Sequence, residues 1–272
     1  MDLTEIKARF PDIDVEELYP LFPQMPMSEY PQLAGYTREQ IYDNSLAPGG
    51  LFLASDMAAK MGLRQGMRVL DLGPGHGASS RFLAKHYGAN VVAGELWISP
   101  TKNWSRIQED GLEDLVMPMK LDGRQLPFAE GYFDAVFSMD AFAYFMTDDL
   151  FPQYLADFLA PGGVVCIGGH CYAKELTPDT PQEFLWEISR AYHSPEWWSR
   201  HFQASGQFEI VHCEQHPRGR ELWLDDVRRG LEECHPRDMS EWERCNRLHS
   251  IVMLLTDTER FISQFILVAR KT

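Results

Sequence analysis

Short apolar segments alternate with amphipathic ones between residues 67 and 169, and this alternation is the strongest constraint on the fold. Apolar strands that are separated by helices are typical of a parallel sheet covered by helices on both faces. We therefore predict an α/β protein with a Rossmann-like sheet. The predicted strands are MRVLDL (67–72), NVVAGEL (90–96), LVMPMK (115–120), FDAVFSM (133–139) and GVVCIGG (163–169), with APGG at 160–163 as a turn before the fifth.

The last third of the chain departs from this alternation. FEIVHCEQ (208–215) and RFISQFILVARK (260–271) predict two more strands, separated by a helical stretch at about 219–256. We expect the two strands to pair antiparallel and to close one edge of the sheet.

The predicted domain organisation has two parts. Residues 1–49 form a helical N-terminal lid, in which TREQ at 37–40 is a capping box. Residues 50–272 form the main domain, with helical cap insertions at about 171–206 and 219–256.

Composition narrows the function and the setting. A formal charge of −15 disfavours a nucleic-acid partner, since binding to phosphates needs clustered Lys and Arg. The chain has five cysteines and no C-x-x-C spacing, which favours reduced thiols in a cytoplasm over disulfides or a metal centre. No apolar stretch is long enough for a membrane span, and MDLTEIKARF lacks the apolar core of a signal peptide. We expect a cytoplasmic protein with no metal, no nucleic acid and no membrane as partners.

The stretch VLDLGPGHGASS at 69–80 predicts a strand that turns sharply into a helix. Glycines at 73, 75 and 77 let the backbone approach a ligand closely, and the helix N-terminus offers free N–H groups. The stretch also matches the loose dinucleotide pattern G-x-G-x-x-G/A. A Walker-type phosphate loop is excluded because no G-K-S/T follows.

Three acids occur in order around this turn. Asp71, two residues before Gly73, would repel a pyrophosphate but suits a ligand with an ammonium or sulfonium charge. Glu95 ends the next strand, where an acid can accept hydrogen bonds from ribose hydroxyls, as it also does in dehydrogenases. Asp122 comes after the third strand and can accept a hydrogen bond from the exocyclic amine of an adenine.

These motifs resemble those of class I S-adenosylmethionine-dependent methyltransferases. The resemblance rests on VLDLGPGHG, VVAGELW, LDGRQLPFAEGYFDAVFSMDAFAYF and LAPGGVVCIGG, and it covers residues 50–170. ELWISPTKNWSRIQEDGLED and HSPEWWSRHF are similar to a bacterial and archaeal subgroup that methylates small molecules. The resemblance implies seven strands in the order 3-2-1-4-5-7-6, the last pair antiparallel, and S-adenosyl-L-methionine as cofactor.

The resemblance also implies site residues. The implied cofactor contacts are Asp71, Gly73, Gly75, Gly77, Glu95, Leu96, Trp97, Asp122, Gly123, Arg124 and Ser138. Methyl transfer is an in-line displacement at an activated carbon, so the enzyme mainly aligns the reactants and needs a base only for a protonated nucleophile. The catalytic candidates are Asp140, Tyr144 and His193, with His170 as a further candidate after the fifth strand.

Other functions stay open at this point. An NAD-dependent oxidoreductase could use the same glycine turn, and a non-catalytic protein could bind the cofactor on the same fold. An enzyme could also use the sulfonium for chemistry other than methyl transfer. Seven tryptophans in an acidic chain leave open an aromatic cage for a cationic amine. The terminal additions either cover the site or contribute to a homodimer.

Overall fold

The structure is a computed structural model. It describes residues 8, 23–43, 47–145, 148–181, 184–185, 191–233, 250, 253–254, 257 and 260–272.

One sheet of seven strands organises the described residues, in the order β3-β2-β1-β4-β5-β7-β6. β1 to β5 run parallel, and β7 pairs antiparallel with both β5 and β6. This confirms the predicted class I methyltransferase topology. The strands are β1 Arg68–Leu72, β2 Asn90–Glu95, β3 Val116–Lys120, β4 Phe133–Met139, β5 Leu159–Tyr172, β6 Phe208–Gln215 and β7 Ile262–Lys271.

Between residues 67 and 169, helices lie in the segments that separate the predicted strands. Thr37 and Gln40 form the expected capping box at the start of α1, with reciprocal hydrogen bonds of 3.2 and 2.9 Å. The stretch predicted as helical at about 219–256 is helical over α7, and most of residues 234–256 lie outside the described residues. The helices are α1 Arg38–Ile41, α2 Gly50–Ala59, α3 Ala78–Tyr87, α4 Pro100–Glu109, α5 Phe151–Asp157, α6 Pro195–Ala204 and α7 Gly219–Glu233.

β5 is longer than the sequence predicts. The stretch at 160–163, expected to be a turn, belongs to the strand as an irregularity. The pairing of β4 with β5 steps from Phe133↔Leu159 to Ala135↔Val164, and Gly162 has φ +72°. Pairing with β7 begins only at Val164↔Arg270, so residues 160–163 pair with neither neighbouring strand. The glycine turn signal is therefore an irregularity between two paired parts of β5.

The sheet is buried on both faces, as a parallel sheet requires. Along β4, Ala135 and Phe137 pack into one apolar cluster with α2 and α3, whereas Val136 packs into the other with α5 and α6. Residues 23–43 contribute Met25 and Leu33 to the first cluster. They share the core of the sheet, and the division at residue 49 stays a prediction. Among the described residues, no helix has the length and apolarity needed to cross a membrane.

A buried ion pair attaches α1 to α7. Asp225 is 1% exposed, and Nη1 of Arg38 donates to both of its carboxylate oxygens at 3.0 Å. The Tyr42 hydroxyl donates to the same carboxylate at 2.5 Å, and Nη2 of Arg38 donates to the carbonyl of Met25 at 2.8 Å. A charge this deeply buried needs these partners, because removing one leaves it uncompensated.

We expect Arg38→Met to lower the free energy of unfolding by about 2 kcal/mol, because it removes the charge that compensates buried Asp225. The matched control is Arg200→Met. Arg200 pairs with Glu196, and both side chains are at least 75% exposed, so its loss costs less than about 0.5 kcal/mol. Urea unfolding measures both variants. Equal effects would contradict a structural role for the Arg38–Asp225 pair.

Candidate functional site

The glycine turn after β1 has a backbone that other residues rarely adopt. Gly73, Gly75 and Gly77 have φ values of +72°, +56° and +80°. A Cβ on Gly73 would lie 2.4 Å from the Cβ of Ala141, which follows β4. Both the conformation and the packing therefore require glycine at 73, and the turn exposes backbone rather than side chains.

Asp71 lies behind this turn and not on its ligand side. Its side chain is completely buried, and Oδ2 accepts hydrogen bonds from the hydroxyls of Ser79 and Ser80 at 2.7 Å each. Burial raises the pKa of Asp71 to about 6, and the nearby charge of Glu95 also raises it, while the two serine hydroxyls lower it. Asp71 thus ties the end of β1 to the start of α3, and its Oδ1 has no hydrogen-bond partner among the described residues.

A cleft opens in front of the turn, at the carboxyl ends of β1 to β4. Its empty volume is ≈ 1200 Å³, including the part open to solvent. Parallel strands bring these ends to one edge of the sheet, where such folds bind ligands. Ten predicted site residues line the cleft: Gly73, Gly75, Glu95, Leu96, Trp97, Asp122, Gly123, Arg124, Asp140 and Tyr144.

Glu95 connects the two loops of the cleft. Oε2 accepts a hydrogen bond from the backbone N–H of Gly75 at 2.9 Å. Oε1 accepts from the backbone N–H groups of Trp97 at 2.6 Å and of Ile98 at 3.3 Å. A carboxylate has about four acceptor positions, so about one remains for a ligand hydroxyl. Sequence reasoning assigned Glu95 only to a ribose and missed this role in holding the loops.

Asp122 and Arg124 form a pair on the opposite wall. The backbone N–H and Nε of Arg124 donate to Oδ1 of Asp122 at 3.0 and 3.1 Å, which lowers the pKa of this carboxyl. Beside them, a Cβ on Gly123 would lie 2.7 Å from the ring of Phe145. The glycine therefore lets Phe145 form an apolar wall, together with Leu121.

The remaining predicted residues do not line the cleft. Gly77 caps the N-terminus of α3, and buried Ser138 donates to the carbonyl of Leu72 at 2.9 Å. His193 lies in the cap, where its ring stacks on Trp197 with centroids 3.7 Å apart and Nδ1 pairs with Glu175 at 2.6 Å. The structure does not bring His193 together with Asp140 and Tyr144.

Asn103 is a loop-holding residue that the sequence did not reveal. Its side chain is 1% exposed, and Nδ2 donates to the carbonyl of Gly75 at 2.9 Å. Asn103 lies on α4, and nothing in SPTKNW distinguishes it from a polar residue on an exposed helix face. Only the packing of α4 against the glycine turn gives it this role.

Asp140 ends β4 in an unusual conformation. Its φ of +52° lies in the left-handed region, which Asp tolerates better than most residues. Its N–H donates to the carbonyl of Gly168 at 2.7 Å, and its carboxylate pairs with His170 on β5. A Cβ on Gly169, which has φ +142°, would lie 2.5 Å from Oδ1 of Asp140. The end of β5 is thus shaped around this carboxylate.

A sheet in this order, with a glycine turn after β1 and acids after β2 and β3, defines the class I methyltransferase fold. Residues 70–167 match the family model described as "Methyltransferase domain".

Known proteins agree with this class. A probable tocopherol O-methyltransferase of Oryza sativa subsp. japonica is 34% identical over 140 residues, which cover 48% of this chain and 38% of that protein. This chain therefore matches less than half of that relative's length. Phosphoethanolamine N-methyltransferase 2 of Haemonchus contortus, with S-adenosyl-L-methionine, has a TM-score of 0.69 at 21% identity, covering 90% of this chain and 58% of that one. The [4+2]-cyclase SpnF has a TM-score of 0.68 at 19% identity, covering 92% and 98%.

The buried carboxyl of Asp71 makes stability depend on pH. Its pKa in the folded protein, about 6, lies above the ordinary value of 3.8, so the native state binds this proton more tightly than the unfolded state. The contribution of Asp71 to the free energy of unfolding therefore falls as pH rises through this range, by about 2 kcal/mol between pH 4.5 and 7.5.

We expect Asp71→Asn to remove this dependence, because the amide does not ionise. Urea unfolding at both pH values measures the change, and the difference between the two proteins cancels the other titrating groups. Parallel stability profiles for wild type and variant would contradict a raised pKa at Asp71.

Proposed function

We propose that this protein is an S-adenosyl-L-methionine-dependent methyltransferase that acts on a small molecule. The observation that carries the proposal is the series of groups along one cleft: the glycine turn, then Glu95, then the Asp122 wall. The family of residues 70–167 supports it. The fold alone does not select the reaction, because a [4+2]-cyclase shares it.

The cleft residues fit the cofactor. Gly73 and Gly75 leave the backbone bare where a methionine chain would lie, and a side chain on Gly73 would collide with Ala141. The acceptor position left on Glu95 suits a ribose hydroxyl. Asp122, beside apolar Leu121, suits the amino group and face of an adenine. Asp71, Gly77 and Ser138 would support these contacts from behind.

A bound cofactor would supply a methyl group on a positively charged sulfur. The acceptor's lone pair would attack the methyl carbon in line, and the neutral thioether would leave. The protein's share is alignment and exclusion of water. Asp140 and Tyr144 line the cleft and are the proposed residues on the acceptor side. Burial and the negative charge of Asp140 raise the pKa of Tyr144, so its phenol stays protonated and can donate a hydrogen bond to the acceptor. A catalytic role for His193 stays a prediction, and it requires that the cap bring the imidazole to the cleft.

The cellular location and the partners of the protein are predicted from the sequence alone. We retain a cytoplasmic location, no nucleic-acid partner and a homodimer as predictions, since the family and the fold test none of them. Neither the NAD-dependent oxidoreductase nor the non-catalytic protein gains support from the family model or from the tocopherol O-methyltransferase relative.

Calorimetry with S-adenosyl-L-methionine and S-adenosylhomocysteine tests the proposal. We expect both to bind, and Gly75→Val to weaken binding by more than about tenfold, because its side chain enters the cleft at a backbone that valine rarely adopts. Asp71→Ala should also weaken binding by releasing the loop.

Gly66→Val is the matched control. Gly66 also has a positive φ, +83°, but a Cβ there meets nothing within 4 Å, so backbone strain is present without a blocked cleft. A labelled methyl donor then reports transfer to candidate acceptors. If neither ligand gives heat with the wild-type protein, or if NADH binds instead, the proposed function is wrong.

A further inference from the structure

The carboxylate of Asp140 is held through one of its two oxygens. Oδ1 accepts hydrogen bonds from the backbone N–H of His170 at 3.1 Å and from Nδ1 of its ring by a short contact. Because a carboxylate only accepts, Nδ1 carries the proton. Both side chains are 8% exposed. All hydrogen bonds that the described residues make to this carboxylate fall on Oδ1, so Oδ2 is left for a ligand.

His170 is itself fixed by rings. Its imidazole stacks on Tyr192 with centroids 5.1 Å apart and planes 13° apart, and it meets Trp223 edge-on at 4.1 Å. Such packing locks the ring orientation that directs Nδ1 at Asp140. The position of the carboxylate therefore depends on a residue outside the cofactor cleft.

Asp140 stands between two spaces. It lines the cofactor cleft and also a narrow recess of ≈ 260 Å³ empty volume, including the part open to solvent, whose walls include His170, Tyr192 and Trp198. A carboxylate at this boundary lies beside any acceptor that occupies the end of the cleft next to Ala141 and Tyr144. The geometry therefore gives the acceptor a charged contact close to the reacting end of the cleft.

The surroundings favour a cation at this contact. Among the described residues lining the cleft and the recess, Arg124 is the one guanidinium or ammonium side chain, and Asp122 already pairs with it. At the mouth of the cleft, Trp97 and Tyr144 meet at right angles, with centroids 5.0 Å apart. Ring faces attract cations, whereas an anionic group next to Asp140 would meet no compensating charge.

We propose that the acceptor is an amine whose ammonium form binds to Oδ2 of Asp140, and that His170 is the positioning residue that holds this carboxylate. Because an ammonium has no lone pair, it first gives one proton to Asp140. The neutral nitrogen then forms the bond to the methyl carbon while the carbon–sulfur bond breaks and the thioether leaves. This inference rests on the proposed function, because it names the acceptor class of the same site. It predicts that charge, more than shape, selects the acceptor. It also predicts that the donor at Nδ1 of His170 matters and that Nε2 does not.

Three probes that share a phenylethyl group and differ in the charge of the terminal group test the charge preference: phenethylamine, 2-phenylethanol and 3-phenylpropionate. Each is titrated calorimetrically into the full-length protein loaded with S-adenosylhomocysteine. We expect the amine to bind about tenfold more tightly than the alcohol, and the carboxylate to bind most weakly. Asp140→Asn should remove the preference for the amine over the alcohol, and its titration with S-adenosylhomocysteine reports whether the variant is folded.

Two variants of His170 separate positioning from bulk structure. His170→Asn places an amide N–H near the site of Nδ1, so we expect it to keep most of the amine preference. His170→Leu removes the donor and should lower the amine-to-alcohol affinity ratio about fivefold or more. His86→Asn, in a histidine on α3 far from the cleft, is the matched control and should change neither ratio nor cofactor affinity.

The outcomes are distinct. The amine assignment is overturned if the three probes bind equally, if the carboxylate binds best, or if phenethylamine gives no heat while S-adenosylhomocysteine binds. The positioning role is overturned if His170→Asn loses the preference as fully as Asp140→Asn, or if His170→Leu keeps it. If wild type fails to bind S-adenosylhomocysteine, the proposed function itself fails. If His170→Leu does not fold, the comparison of His170→Asn with Asp140→Asn still decides.

Discussion

The hydrogen bonds of Asp71 to Ser79 and Ser80 underlie the geometry of the cleft. They join the end of β1 to the first turn of α3 across the glycines, so the loop between them has fixed ends. Burying this carboxyl costs free energy, as its raised pKa shows. The hydrogen bonds of Asp71 hold the loop in a conformation that presents its backbone to the cleft. A glycine segment without them would be free to adopt many conformations.

The cleft carboxylates have different tasks because their surroundings differ. Glu95 is largely occupied by backbone N–H groups, and Asp122 lies at the rim with an exposed arginine. Asp140 is buried against an imidazole and keeps one oxygen for a ligand. Three carboxylates thus have three tasks: Glu95 holds a loop, Asp122 lies beside the proposed adenine position, and Asp140 faces the proposed acceptor.

Much of the fold followed from the sequence. The positions of the seven strands and the capping box at Thr37 follow from local patterns of apolarity and capping, whereas the strand order was implied by the resemblance to class I methyltransferases. The extension of β5 back to Leu159 did not, because it depends on the pairing of Leu159 with Phe133, a contact between different elements. Most predicted cofactor residues reach the cleft because parallel strands end at one edge. His193 does not, since its place depends on how the cap packs.

The sequence by itself determined the class of sheet, the glycine turn and the order of acids along it, because these depend on local periodicity and spacing. The tertiary structure alone decided that Asp71 lies behind the turn, that Asn103 donates a hydrogen bond to Gly75, and that His170 donates one to Asp140. The reason is physical. Each of these contacts joins residues from different elements, and only packing brings such elements within hydrogen-bond distance.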